Sequence, residues 1–232
     1  MLTVILCGGK ATRLYPLFKK IPKSMIEING KPFLEYQIQL LKRNGISEIV
    51  LCVGNKANQI RNYFKDGASF DVKIKYSSDG KNLMGTGGAL KKAEKLLPDI
   101  FSVLYGDSYL PFDFRKALAF FKKNNKLGMM TVLKNNDKYG RSNTKMEGNL
   151  VKYYSKKHRI ENTDLVDYGL SLFRKEALKY LPENRHCDMS VLHKALIKRA
   201  QLLAYPVKKR FYEIGSFKGL KEFKYYIHKQ KL

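Results

Sequence analysis

Cysteine is scarce in this chain. Three residues of 232 (Cys7, Cys52, Cys187) are odd in number and far apart, with no C-x-x-C pair. Neither a disulfide framework nor a zinc knuckle is expected from them. No apolar run approaches the ~18 residues that a membrane-spanning helix needs. Met1–Cys7 has no basic n-region and no small-residue cleavage site, so no signal peptide is expected and the expected compartment is the cytoplasm. No internal repeat, low-complexity tract or Pro/Ser-rich linker interrupts the sequence. A single domain over residues 1–232 is therefore expected.

Acidic residues are also few, 20 against 45 Lys and Arg, for a formal charge of +25. Such a balance suits nucleic acid, since a basic surface attracts phosphate backbones. However, only ten of the 45 are arginine, whose bidentate fork favours phosphate and base recognition, and the lysines are spread along the whole chain. A generic solvated surface that also suits an anionic substrate is the better expectation. Hydrophobic residues at 44% and charged residues at 28% are those of a globular protein. At this length roughly 70% of the unfolded chain's surface can be buried.

Apolar segments alternate with helical patterns. Strands are expected at Leu2–Cys7, Glu48–Val53, Val72–Tyr76, Phe101–Tyr105 and near Met129–Lys134. Between them helices are expected at Pro32–Asn44 (stopped by Gly45), after a capping Asn55 to about Phe64, at Gly88–Leu97 (ended by Pro98) and near Arg115–Lys123. This order predicts an α/β fold: one Rossmann-like domain with a mostly parallel central sheet and helices on both faces. Beyond Asn135, short strands at Thr144–Met146, Leu150–Tyr154 and Asp167–Phe173 predict a small antiparallel addition. Helices at Arg174–Tyr180, Ser190–Arg199 and Lys218–His228 and strands at Leu202–Val207 and Phe211–Ile214 follow.

Five segments carry chemistry. Gly8-Gly9-Lys10-Ala11-Thr12-Arg13-Leu14 follows the first strand, where an open α/β sheet places its ligands. Adjacent glycines let backbone approach a phosphate, and Arg13 adds a bidentate cation. The spacing is neither a Walker A loop nor G-x-G-x-x-G, and a Gly-Gly turn alone is more often structural. Lys23, behind Pro22, is a fixed point charge or an ordinary surface lysine. Gly85-Thr86-Gly87-Gly88 precedes a helix whose N-terminus can help to hold an anion. Asp107, just past an apolar strand, stands where a metal-binding carboxylate is expected. Glu213 is a second acid on a short strand before Gly215.

In this order, G-G-K-A-T-R-L, P-K-S, Glu35-Tyr36-Gln37, G-T-G-G, G-D-S and E-I-G-S resemble the nucleotidyltransferase family that makes nucleoside-diphosphate sugars. The likeness runs over essentially the whole chain. Its length and the Asp167-Tyr168-Gly169-Leu170-Ser171 segment look most like bacterial heptose-1-phosphate guanylyltransferases. The resemblance implies transfer of a nucleotidyl group from a nucleoside triphosphate (GTP favoured; CTP, UTP or dTTP as alternatives) to a sugar 1-phosphate, for surface polysaccharide or glycan precursors. It implies Mg²⁺ on Asp107 and Glu213, and Arg13, Lys23 and Lys156 as catalytic cations, with Lys157 in reserve. Nucleotide contacts fall on Leu6, Gly8, Gly9, Thr12, Arg13, Ser78, Gly85 and Thr86. Sugar-phosphate contacts fall on Asp107, Lys156, Asp167 and Gly169. Two departures from the family pattern stand out: Ser24 where a proline is usual, and Glu213 where an aspartate is usual.

A phosphocholine cytidylyltransferase of the same fold is the alternative within the family, and no nucleic-acid or membrane partner is expected. A glycosyltransferase would normally carry D-x-D, which is absent because Asp107-Ser108-Tyr109 fails at its third position. The assembly is expected to be a monomer or homodimer. His158, His186, His193 and His228 have no metal-ligand spacing and are set aside. Cys7 is expected to be a buried hydrophobe rather than a nucleophile, and Glu147 to face solvent.

Overall fold

The computed structural model describes residues 1–9, 14, 20–80, 82–156 and 163–230. In chain order they form β1 (Leu2–Leu6), a β2 (Glu27–Ile28) and β3 (Lys31–Pro32) hairpin, α1 (Phe33–Arg43), β4 (Glu48–Val53), α2 (Ala57–Phe64) and β5 (Lys73–Ser78). Next come α3 (Gly85–Lys92), β6 (Ile100–Tyr105), β7 (Ser108–Tyr109), α4 (Phe114–Lys123), β8 (Gly128–Lys134), β9 (Thr144–Glu147) and β10 (Leu150–Tyr154). The chain closes with β11 (Leu165–Arg174), α5 (Ser190–Lys198), β12 (Leu202–Val207), β13 (Tyr212–Glu213) and α6 (Phe217–Gln230).

Nine strands share one sheet, in the order β5-β4-β1-β6-β11-β8-β12-β10-β9. The β5, β4, β1 and β6 half is parallel, as expected. The other half is not a small addition. Strand β11 inserts antiparallel between β6 and β8, β12 returns parallel to β8, and β10 and β9 are antiparallel. Because β9 also bonds back to β11 through Thr144 and Leu165, strands β11, β8, β12, β10 and β9 close on one another as a ring. The architecture is thus α/β with a mixed sheet, rather than a mostly parallel Rossmann-like one. Closely spaced short strands joined by tight turns can only run antiparallel to their neighbours, and this reshapes half of the sheet.

Each strand alternates its side chains between two cores. Ile49, Leu51 and Val53 of β4 pack with α1, α2, α4 and α6 on one face. Val50 and Cys52 face α3 and α5 on the other, beside Leu2, Val4 and Leu6 of β1. Helix α6 is fixed by Phe223, fully buried with its ring centroid 5.0 Å from those of Phe33 on α1 and Tyr109 on β7. Truncating such a side chain costs about 3–5 kcal/mol. The same ring cluster therefore holds the middle of α6 against β7 and β13. Among the described residues, no helix is long and apolar enough to cross a membrane.

Some boundaries shift. Asn55 does not cap α2: the capping position is Lys56, in the left-handed region, without a side-chain hydrogen bond. Helix α3 starts at Gly85 rather than Gly88, and Lys175–Tyr180 is a 3-10 helix.

Candidate active site

The site is built where β1 and β6 end. Gly106 follows β6 and donates its N–H to Leu6 O at 3.0 Å. A Cβ on Gly106 would lie 2.7 Å from that same oxygen and 2.9 Å from Cys7 Cα, so only glycine lets the turn lie flat on β1. Buried Gln37 of α1 donates from Nε2 to Tyr105 O (2.9 Å) and Ser108 O (2.7 Å), clamping the turn on both sides of Asp107. This gives the Glu35-Tyr36-Gln37 motif a role that its spacing alone did not reveal.

Asp107 Oδ2 lies 3.0 Å from Lys23 Nζ. The lysine stands at the start of a 3-10 turn, Lys23–Met25, behind extended Pro22. Strand β13 pairs with β7 and brings in a third side, with Ile214 N–H donating to Asp107 O at 3.0 Å. The bare face of Gly215 completes the corner: the point where its Cβ would sit is 3.5 Å from Lys23 Nζ, 3.7 Å from Asp107 Oδ2 and 2.7 Å from Glu213 Oε2. Lys23, Asp107 and Glu213 thus converge.

Glu213, however, is occupied. Its Oε2 accepts from Gly215 N–H, and its Oε1 accepts from the Ser216 hydroxyl at 2.5 Å. Ser216 Oγ in turn accepts from Gly219 N–H at 3.0 Å. Ser216 thus caps the first turn of α6, and the Glu213 carboxylate holds that cap from behind, at a helix end where a negative charge is favoured. Glu213→Ala is therefore expected to lower stability by about 1–2 kcal/mol, read as a few degrees in Tm at this length. An unchanged Tm overturns this support of the Ser216 cap. For a divalent cation the donor set fits: two hard carboxylates flank a cradle that any Cβ would fill. Asp107 is the freer donor. No group of three or more His, Cys, Asp or Glu that could hold a metal occurs among the described residues.

Beside this corner lies a pocket lined by Leu6, Gly8, Gly9, Cys52, Asp79, Leu83, Gly85, Thr86, Ala89 and His186. It brings together five expected nucleotide contacts: Leu6, Gly8, Gly9, Gly85 and Thr86. Gly85 has φ +71°, and its Cβ would meet Cys187 O at 2.5 Å, so glycine is obligatory here too. Ser78 is not in the wall. Its hydroxyl accepts from Gly80 N–H at 3.4 Å, and Asp79 fills the place instead. Thr86 Oγ1 donates to Asp188 Oδ2 at 3.0 Å and accepts from Met189 N–H at 2.9 Å, which ties the loop to the start of α5. Thr12, Arg13 and Lys157 lie outside the described residues.

Lys156 reaches the same Asp188 Oδ2 at 3.0 Å, its Nζ 5.2 Å from the centre of the Tyr105 ring. Burial opposes charge on Asp188, yet the Ser190 N–H and Lys156 outweigh it and hold the carboxyl at about 2. Asp188 therefore joins the Gly85–Thr86 turn to the expected acceptor lysine. Asp167 opens a bulge in β11, accepting from Tyr154 OH at 3.2 Å and from Gly169 N–H at 3.0 Å. Burial raises the Asp167 carboxyl, with Lys156 and Gly169 pulling the other way. The bulge gives Gly169 φ +107° and sets it against Ser108, next to Asp107. Burial pushes the Cys7 thiol up to about 12, which leaves it inert at neutral pH, as expected of a packing residue.

Asp79, Asp188 and His186 were missed by sequence reasoning. Asp188 meets Thr86 across 102 positions, and no local pattern signals such a pair. His186 lines the pocket without any metal-ligand spacing.

Residues 2–230 match the family model described as nucleotidyl transferase. The chain belongs to that family and is by membership a nucleotidyltransferase. It is 37% identical over 179 residues to a D-glycero-alpha-D-manno-heptose 1-phosphate guanylyltransferase of Campylobacter jejuni, covering 76% of this chain and 77% of that one. It is 30% identical over 207 residues to a UTP–glucose-1-phosphate uridylyltransferase of Synechocystis, covering 82% of this chain but 53% of that longer one. In fold it is similar to a putative glucose-1-phosphate thymidylyltransferase from Bacillus anthracis (TM-score 0.87, 19% identity, 97% and 95% of the two chains).

Proposed function

We propose that the chain transfers a nucleotidyl group from a nucleoside triphosphate to a sugar 1-phosphate, giving a nucleoside-diphosphate sugar and pyrophosphate. GTP is the favoured donor, and the product serves surface polysaccharide or glycan synthesis in the cytoplasm. The observation that carries this reading is the adjacency, across β1 and β6, of the glycine-walled pocket to the Lys23–Asp107–Gly215 corner. A base and its phosphates span just such a pair of subsites.

In the reaction an oxygen of the acceptor phosphate forms a bond to the α-phosphorus. The bond from that phosphorus to the bridging oxygen breaks opposite it, and pyrophosphate leaves with the electron pair. Little covalent work falls to the protein; alignment and charge neutralisation do most of it. Lys23 exchanges Asp107 for phosphate oxygen and spreads the charge that develops. Lys156, on the acceptor side, takes the sugar phosphate, and Asp167 with Gly169 borders the sugar. Asp107 and, behind it, Glu213 would hold Mg²⁺, which when bound neutralises phosphate charge and orients the oxygens. Thr12 and Arg13 complete the phosphate loop in this reading.

The test is a matrix of ATP, GTP, CTP, UTP and dTTP against several sugar 1-phosphates and phosphocholine, followed by pyrophosphate release. Turnover is expected with a sugar 1-phosphate and to be strongest with GTP. Turnover with phosphocholine alone would overturn the acceptor class in favour of a cytidylyltransferase.

A further inference from the structure

The pocket beyond β1 has apolar walls and one charged edge. Leu6, Cys52, Leu83 and Ala89 suit the faces of a flat ring. The edge is Asp79, which leaves 8% of its surface exposed. We propose that Asp79 reads the base and makes the enzyme select guanine. The inference rests on the reading above, in which this pocket takes the base of a nucleoside triphosphate.

Asp79 is held in place from several directions. Its N–H donates to Val53 O at 2.9 Å, and its carbonyl accepts from Lys92 Nζ at 3.1 Å. Its Oδ2 accepts from Met84 N–H at 3.1 Å and rests on two glycines, 3.4 and 3.2 Å from where the Cβ atoms of Gly8 and Gly54 would be. A side chain at Gly54 would crowd the carboxylate. Oδ1 receives no hydrogen bond from the described residues, and Oδ2 has a lone pair to spare. A carboxylate withdrawn from water in this way calls for donors.

The bases differ in what they offer it. Guanine presents N1–H and the N2 amino group side by side, two donors matched to two carboxylate oxygens. Adenine and cytosine each offer one amino group next to a ring nitrogen lone pair, which faces the second oxygen lone pair to lone pair. Uracil and thymine offer one N–H between two carbonyls. Only guanine meets Asp79 with two donors and no opposing lone pair.

Inosine triphosphate isolates the contact, since it lacks only the 2-amino group. Binding of GTP, ITP, ATP and UTP by calorimetry in Mg²⁺ buffer is expected to favour GTP over ITP by about 10-fold or more, the loss typical of one hydrogen bond to a charged partner. In Asp79→Asn the GTP-over-ITP preference is expected to fall to within about threefold, with Tm unchanged. Should that variant not fold, the GTP/ITP ratio of the native enzyme decides alone. Equal GTP and ITP affinity in the native enzyme, or a preference that survives in Asp79→Asn, overturns the assignment. Native turnover of several nucleotides without base preference would sink the role of Asp79 while leaving nucleotidyl transfer standing. Failure to bind any nucleotide would overturn both.

Discussion

Asp107→Asn is expected to leave the enzyme close to inactive at every metal concentration, with a loss of at least about three orders of magnitude in kcat. The substitution keeps the size of the side chain and its place in the turn that Gln37 clamps. It removes the one charge that both pairs with Lys23 and would bind the cation. Stability should hardly change. The Lys23–Asp107 pair is partly exposed, 23% and 36% at its two side chains, and such pairs contribute at most about 1 kcal/mol. Steady-state rates across a Mg²⁺ titration, with Tm measured alongside, check the expectation. Wild-type turnover restored at high Mg²⁺ would mean that Asp107 only tunes affinity and that substrate phosphates hold the metal.

Lys23→Ala is expected to lower kcat by roughly two orders of magnitude or more, again with little change in Tm. Among the described residues the lysine pairs with Asp107, and a short swing past the bare face of Gly215 frees it for phosphate. Because the two side chains act as a unit, the double variant should be little worse than Asp107→Asn alone. Multiplicative losses in the double variant would show that they act separately, and an unchanged kcat in Lys23→Ala would make the lysine a surface residue.

The parallel half of the fold was legible because its evidence is local. Strands β1, β4 and β6 are short continuous apolar runs, and α1 carries a helical stripe ended by Gly45. Strand β11 was legible as a strand but not in its place. Its insertion between β6 and β8 depends on pairing partners some seventy and forty residues away, and no periodicity encodes them. Helix α3 shows a second limit. Gly85, Gly87 and Gly88 are poor helix formers, which placed its expected start late. They begin the helix regardless, because the backbone of residues 185–188 packs where their side chains would be. The site divides in the same way. Lys23, Asp107, Gly85 and Lys156 are carried by motifs, whereas Asp79, Asp188 and the clamp from Gln37 exist only once distant segments meet. Glu213 was legible as an acid near the site, but its bond to Ser216 was not.

The ring of strands at the far end of the sheet bears on how two copies of this chain can meet. Strand β9 spends its backbone groups on β10 and β11, so that rim offers little to a newcomer. The opposite rim is β5, whose outward positions include exposed Lys73 and Lys75. Two such rims laid side by side would set ammonium groups against one another, and like charges in register oppose pairing. Continuous growth of the sheet from molecule to molecule is therefore disfavoured at both ends.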